Sequence, residues 1–238
     1  MHSDDTIVVE STYPRHIGII MDGNGRWATQ RALPRTAGHF EGVKAAKRIV
    51  TEAANLKIPF ITYYVFSTEN WRRPTAEIEY LMNLMATRIY SEMDLYKRLG
   101  SKILVRGDIS VLNQGAQDAL KATIEATKDF DKICVSLAIN YGGRDEIVRS
   151  INKRLESGNY LPIREEDISD GFDLTEVPPV DFIIRSGGER RISNFLLWDA
   201  AYAEFAFYDK LWPDWKKEDL QAAVADYAKR TRRYGGVM

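Results

Sequence analysis

An α/β fold is predicted, with a mostly parallel sheet flanked by helices on both faces. Three observations predict it. Apolar, β-branched runs of strand length alternate with segments of helical period along the chain. Four of those runs end in loops of one chemical kind, glycine or small polar residues followed by arginine. The chain has 238 residues, 45% of them hydrophobic, which is enough for one full core. A single domain over 1–238 is expected, with 1–13 as a flexible N-terminus.

The first strand is Ile17 to Met21, a short apolar run bounded by Asp22 and the turn Gly23-Asn24-Gly25. A helix from Phe40 to Lys57 follows, with Val43, Ala46, Ile49, Val50 and Ala53 on one side. Phe60 to Phe66 is the second strand, ending at Ser67-Thr68-Glu69-Asn70-Trp71-Arg72-Arg73. One long helix is expected from Thr75 to about Leu99, because Ile78, Leu81, Met82, Met85, Ile89 and Met93 recur at helical spacing. Lys102 to Val105 reads as a short strand and Asn113 to Phe130 as a helix. Ile133 to Ile139 is a strand ending at Asn140-Tyr141-Gly142-Gly143-Arg144, and a helix then runs to about Leu155. Asp181 to Arg185 is a strand ending at Ser186-Gly187-Gly188-Glu189-Arg190-Arg191. Ala203 to Tyr208 is a last strand and Lys217 to Arg233 a C-terminal helix.

Composition excludes several classes. The formal net charge of -1 gives no basic field for nucleic acid. A lone cysteine, Cys134, cannot form an internal disulfide or a cysteine-rich zinc site; inside the apolar run 133–139 it is expected in the core. No signal-peptide pattern opens the chain, and no apolar run approaches the ~20 residues of a membrane span. A cytoplasmic location is expected, with room for a peripheral membrane contact. The nucleotide signature G-x-x-x-x-G-K-[ST] is missing, and Gly23 and Gly25 lack the third glycine of a dinucleotide fingerprint.

In parallel sheets ligands bind at the carboxyl ends of strands, so the four arginine loops should converge on one polyanion site. Arginine suits a diphosphate because its planar fork grips paired oxygens. The candidates are Arg26, Arg35, Arg73, Arg185 and Arg191, whereas Arg72, Arg230, Arg232 and Arg233 read as solvated faces. Asp22 is the best ligand for a hard cation, with a turn or helix-cap role as its alternative. Glu204, in an apolar stretch, needs a partner if buried and needs none if it lies on an edge. His39 is either a phosphate donor or a structural helix-start residue. The Leu- and Met-rich segment 78–99 is either plain core or one wall of a tunnel for an apolar ligand.

Together these segments resemble the cis-prenyltransferases of the undecaprenyl diphosphate synthase family. The resemblance is carried by H-I-G-I-I-M-D-G-N-G-R-W (16–27), R-x-x-G-H (35–39), F-S-T-E-N-W-x-R-P (66–74), N-Y-G-G-R (140–144) and I-I-R-S-G-G-E-x-R-I-S-N-F-L-L-W (183–198), completed by A-Y-A-E-F (201–205) and L-W-P-D (211–214). It implies a Rossmann-like fold with a hydrophobic tunnel, acting as a homodimer. The implied activity is Mg²⁺-dependent condensation of isopentenyl diphosphate onto an allylic diphosphate such as farnesyl diphosphate, each new double bond cis. Undecaprenyl diphosphate, precursor of the lipid carrier for peptidoglycan, is the default product. By the same resemblance Asp22 coordinates Mg²⁺, and Gly23, Asn24, Gly25, Arg26, Trp27, Arg35 and His39 cradle the allylic diphosphate. Ser67, Thr68, Glu69, Asn70 and Arg73 lie by the reacting ends, Asn70 nearest the abstracted proton. Trp71 and Glu77 belong to a loop that closes over substrate. Arg185, Arg191 and Ser193 hold the isopentenyl diphosphate, and Glu204 is a second metal-linked acid across the dimer interface.

One departure bears on the product. Val65 stands where the family often has alanine, and its bulk would narrow a tunnel it lined. A short-chain product is therefore the alternative to undecaprenyl diphosphate. A catalytically silent partner subunit would be expected to lose the 22–26 or 185–193 loop, and both are intact.

Overall fold

The computed structural model describes residues 13–158 and 160–231. All of the expected flexible terminus except Tyr13 lies outside them, as do Arg232 and Arg233. In chain order the elements are β1 (His16–Ile20), α1 (Asn24–Thr29), α2 (Arg35–Asn55), β2 (Phe60–Ser67), α3 (Thr75–Arg88), α4 (Met93–Leu99), β3 (Ser101–Arg106) and α5 (Gln114–Thr127). They continue with β4 (Ile133–Tyr141), α6 (Gly143–Glu156), α7 (Glu165–Ser169), β5 (Phe182–Arg185), β6 (Glu204–Phe207) and α8 (Lys217–Tyr227). The six strands form one sheet in the order β3-β4-β2-β1-β5-β6, and every pairing is parallel. The predicted fold class is the observed one.

The centre of the sheet is dry on both faces. All five β1 residues are buried. Ile17 and Ile19 pack with Ala45 and Ile49 of α2 and with Trp212, Trp215, Leu220 and Val224. Ile20 packs on the other face with Ile183, Phe195 and Leu196. Gly18 has no alternative here, since a Cβ would stand 2.9 Å from the Phe195 ring. Such double-sided burial is why the strands read as continuous apolar runs rather than as alternating ones.

Several boundaries differ from expectation. The turn after β1 continues into the short helix α1, which three small or turn-forming residues concealed. Helix α2 starts five residues earlier than Phe40, directly after Pro34, whose fixed φ suits a helix entry. The expected helix 75–99 is two helices, interrupted by a 3₁₀ turn at Tyr90–Glu92. No proline or glycine marks that break. It serves packing: Met82 and Met85 of α3 pack with Leu112, Ala116 and Leu120, whereas Leu95 joins the cluster around Ile49 and Ile103. Cys134 is half-buried rather than fully in the core, and burial pushes its thiol up to about 11. Among the described residues no helix is long and apolar enough to cross a membrane.

His16 anchors the start of β1 with no exposed surface. Its Nδ1 lies 2.7 Å from the Pro178 carbonyl oxygen and its Nε2 2.7 Å from Thr62 Oγ1. The carbonyl can only accept, so Nδ1 carries the proton and Nε2 accepts from the Thr62 hydroxyl. Burial lowers its pKa from 6.5 to about 4. The unfolded chain then binds more protons between those values, so stability is intact above pH 6.5 and falls as pH drops towards 4. The expected loss is ~3 kcal/mol. Chemical denaturation across that range should show a shallower pH slope in His16→Gln than in the unmodified chain; equal slopes would remove His16 as the cause.

Candidate active site

Four adjacent strands, β4, β2, β1 and β5, present their carboxyl ends at one edge, and these are the four whose loops carry the arginine patterns. From β1 the chain continues to β2 on one side, while β5 pairs on the other. Beyond the strand ends, this is where α/β sheets open a crevice.

Asp22 lies at the centre of that edge. Its Oδ1 accepts from the Gly23 N–H at 2.6 Å and lies 3.5 Å from the Arg26 guanidinium. Its Oδ2 accepts from Arg185 at 2.9 Å. Arg185 closes β5, is buried, and also donates to Ser193 Oγ at 2.8 Å and to the Arg191 carbonyl. Its Nε is buried without a partner, so this guanidinium has unused donor capacity. Gly187, at φ +87°, lets the β5 loop close on this pair, because a Cβ there would stand 2.8 Å from Arg26 and 3.0 Å from the Asp22 backbone. Gly25 admits the Arg35 guanidinium, which a Cβ would meet at 2.6 Å.

The β2 loop folds onto the same edge. Ser67 and Asn70 cap each other, the Ser67 N–H donating to Asn70 Oδ1 at 3.1 Å. Thr68 Oγ1 stands 2.8 Å from where a Gly142 Cβ would be, at the β4 tip. Trp71 donates its indole N–H to Asn140 Oδ1 at 2.7 Å and meets Phe66 edge-on. Glu77, in the first turn of α3, accepts from Arg73 at 3.1 Å and Arg35 at 3.3 Å, with His39 Nε2 also 3.3 Å away. Partial burial works against its charge, yet Arg35 and Arg73 hold the Glu77 carboxyl below the usual carboxylate range. Burial lowers the His39 pKa more than Glu77 raises it, so the ring is neutral at pH 7.

Asn194 is the organising residue that sequence reasoning passed over. It donates to Glu69 Oε1 at 3.1 Å, accepts from the Arg144 N–H at 2.9 Å, and its carbonyl accepts from the Gly143 N–H at 2.7 Å. One side chain thereby joins the β2, β4 and β5 loops. Ser193, Asn194 and Leu196 all take positive φ, at 51°, 65° and 44°. Backbone strain of this kind concentrates at functional loops. The available signal was Asn194 itself, inside the quoted 183–198 segment.

Two expected site residues are placed elsewhere. Trp27 is engaged by the 212–214 turn and by Arg31: its indole donates to Asp214 at 2.7 Å and Arg31 stacks on its face at 4.2 Å. Glu204 opens β6, in register with Phe182, whereas Asp22 lies past Ile20, which is in register with Arg185. Three strand residues, ~10 Å, separate those levels, so one chain does not bring the two acids together. Glu204 instead accepts from Arg230 at 3.0 Å, and Arg230 stacks on Phe182, so Arg230 is no solvated face.

Behind the cationic edge lies an apolar cavity of about 190 Å³. Asn24 and His39 line its polar end, and Val43, Val65, Leu84 and Leu137 line its walls. The segment 78–99 thus forms a cavity wall and core at once. At the Arg26–Arg185 junction the carboxylate open to a divalent cation is Asp22, since Glu69 and Glu77 of the same edge are engaged by Asn194 and by Arg35 and Arg73, and the described residues hold no group of three or more His, Cys, Asp or Glu suited to a metal. That donor set fits Mg²⁺, which keeps most of its waters and binds through one or two carboxylates plus substrate phosphates. It does not fit a permanently caged ion.

Fold and edge together define a parallel α/β protein that can hold a multiply charged anion beside an apolar cavity. Known proteins narrow that class. The profile of the family described as "Putative undecaprenyl diphosphate synthase" matches residues 20–235. An isoprenyl transferase of Treponema denticola is 48% identical over 93% of this chain and 97% of its own. One from Clostridium perfringens is 44% identical over 99% and 95%. Among solved structures, lavandulyl diphosphate synthase from Lavandula x intermedia, in complex with dimethylallyl diphosphate, superposes with a TM-score of 0.90 at 33% identity, over 94% of this chain and 99% of that one. The chain belongs to the undecaprenyl diphosphate synthase family of isoprenyl transferases, and it is an enzyme that transfers prenyl groups.

Proposed function

We propose that this chain, as one domain, condenses isopentenyl diphosphate with an allylic diphosphate such as farnesyl diphosphate and repeats the step to give a cis-polyprenyl diphosphate. Undecaprenyl diphosphate, for a cell-wall lipid carrier, is the product we assign. The observation that carries this reading is the continuity of the site: Asn24 and His39 line the apolar cavity, and Asn24 is itself part of the Asp22–Arg26 loop. A charged head and a growing apolar tail each find a matching surface, and burial of the tail retains it at ~0.8 kcal/mol per CH₂.

In this proposal Arg26, Arg35 and His39, with the backbone of 23–25, hold the allylic diphosphate. Arg185, Arg191 and Ser193 hold the isopentenyl diphosphate. Asp22 would hold Mg²⁺, which when bound with the diphosphate neutralises charge on the leaving group. Allylic C–O cleavage leaves that charge on the diphosphate, where the arginines stabilise it. The double bond of isopentenyl diphosphate supplies the electron pair of the new C–C bond, and a proton departs from its C2 near Asn70. The neutral His39 ring can donate to a phosphate oxygen without adding charge. Diphosphate binding requires Arg35, His39 and Arg73 to exchange Glu77 for substrate oxygens. The enzyme is expected to act in the cytoplasm as a homodimer, handing product to the membrane surface. A metal-linked role for Glu204 would come from the second copy.

The direct test is incubation of purified protein with farnesyl diphosphate, labelled isopentenyl diphosphate and Mg²⁺, with chain length read by chromatography. A polyprenyl ladder is expected, and no incorporation overturns the proposal. A second reading, a short-chain product, is favoured by Val65, which sits at a β-bulge of β2 and lines the cavity. Val65→Ala should shift the distribution to longer chains, and an unchanged distribution would clear Val65 of any part in length control.

A further inference from the structure

The cavity is mostly apolar; besides Asn24 and His39, the charged residues that line it are Arg88, whose guanidinium lies over the Phe40 ring of α2, and one ion pair. Eight residues along α2 from His39, Lys47 Nζ lies 2.7 Å from Glu92 Oε2, and both residues line the cavity. Glu92 closes the 3₁₀ turn that interrupts the helix between α3 and α4. Glu77 binds Arg35 and His39 of α2. Two ion-paired carboxylates of the α3–α4 segment, Glu77 and Glu92, are thus set on cations of α2, Arg35 and Lys47. Between the two fastenings the α2 wall is lined by small or apolar residues, Gly42, Val43 and Ala46.

Volume shows what such a fastening must do. A cavity of about 190 Å³ is little larger than the ~150 Å³ that holds one benzene. A fifteen-carbon primer would already take up that space, so elongation beyond it requires α3–α4 to move away from α2. The interrupted helix can hinge at 90–92, where the regular i→i−4 ladder is already broken. The Lys47–Glu92 pair spans that opening. Lys47 is 41% exposed, so water screens the pair and it can part reversibly.

We infer that the Lys47–Glu92 pair is a gate on the product cavity and a determinant of chain length: each elongating chain must part it to grow further. The inference rests on the prenyl-elongation reading above. It concerns a specificity-determining contact rather than a catalytic one, so its signature is a shift in product length rather than in rate alone.

The test compares Lys47→Met, Glu92→Gln and the charge-swapped double variant Lys47→Glu/Glu92→Lys by product chain length. Both single variants should shift the distribution to longer chains, and the swap should move it back. Unchanged single variants overturn the gate. Single variants that lengthen without recovery in the swap also overturn it, because side-chain bulk rather than the ion pair would then set the limit. Calorimetric binding of unreactive alkyl diphosphates from ten to twenty carbons separates this from failure of the function. The affinity gained per added carbon should stop at a shorter chain in the unmodified protein than in Lys47→Met. A common stopping point overturns the gate whether or not the chain elongates anything.

Discussion

Asp22→Asn is expected to lower the rate of prenyl transfer by ~10³-fold, about 4 kcal/mol of transition-state stabilisation. The size follows from where Asp22 sits. Among the described residues it is the carboxylate that pairs with both Arg26 and Arg185, and it is the acid we assign to Mg²⁺. Asparagine keeps one acceptor oxygen, enough for Arg185 or for the Gly23 N–H but not both, and it removes the charge that attracts the metal. The loss should therefore fall on turnover and on the Mg²⁺ dependence, with a fall in melting temperature smaller than that of alanine. Alanine should be equally inactive and less stable, because it strips a partner from the buried Arg185 guanidinium. Steady-state incorporation of labelled isopentenyl diphosphate across a Mg²⁺ series checks this. Activity of Asp22→Asn within tenfold of the unmodified chain would sink the metal assignment.

The site was legible where local sequence pattern and tertiary placement coincide. An apolar run followed by Asp-Gly-Asn-Gly-Arg can be read as a strand tip because strand, turn and cation are contiguous, and parallel topology then brings four such tips together. What stayed hidden depends on contacts between distant segments. The break at 90–92 carries no proline or glycine; its cause is a packing change from the Leu112 cluster to the Ile49 cluster. Asn194 joins three loops only once their strands are adjacent. Glu204 shows both sides of the matter: an acid in an apolar stretch signals that a partner is needed, but nothing local says that the partner is Arg230. Trp27 is similar: nothing local to α1 says that its indole bonds Asp214.

Arg106→Met is expected to cost ~3–5 kcal/mol of folding stability, the usual price of leaving a buried carboxylate without its cation. Arg106 ends β3 almost fully buried, donating to Glu146 Oε1 at 2.6 Å and Asp199 Oδ2 at 2.5 Å, between the Tyr141 and Phe172 rings. Tyr141 donates its hydroxyl to Glu146 Oε2 at 2.7 Å. Burial pushes the Glu146 carboxyl up even with Arg106 beside it. Without Arg106 it should rise further, so the folded variant would hold a proton that the unfolded chain releases. A raised carboxylate pKa means stability is intact at low pH and lost as pH rises through the folded value. The deficit of Arg106→Met should thus be larger at pH 7.5 than at pH 5, and adding Glu146→Gln should recover part of it at pH 7.5. The network also matters to the site: Tyr141 directly precedes Gly142, and Asp199 follows the strained 193–196 segment, so it braces from behind the loops that Asn194 joins in front. Urea unfolding at the two pH values decides the matter. A deficit below ~1 kcal/mol, or one that does not change with pH, would mean that the two carboxylates find water or other donors when Arg106 is gone.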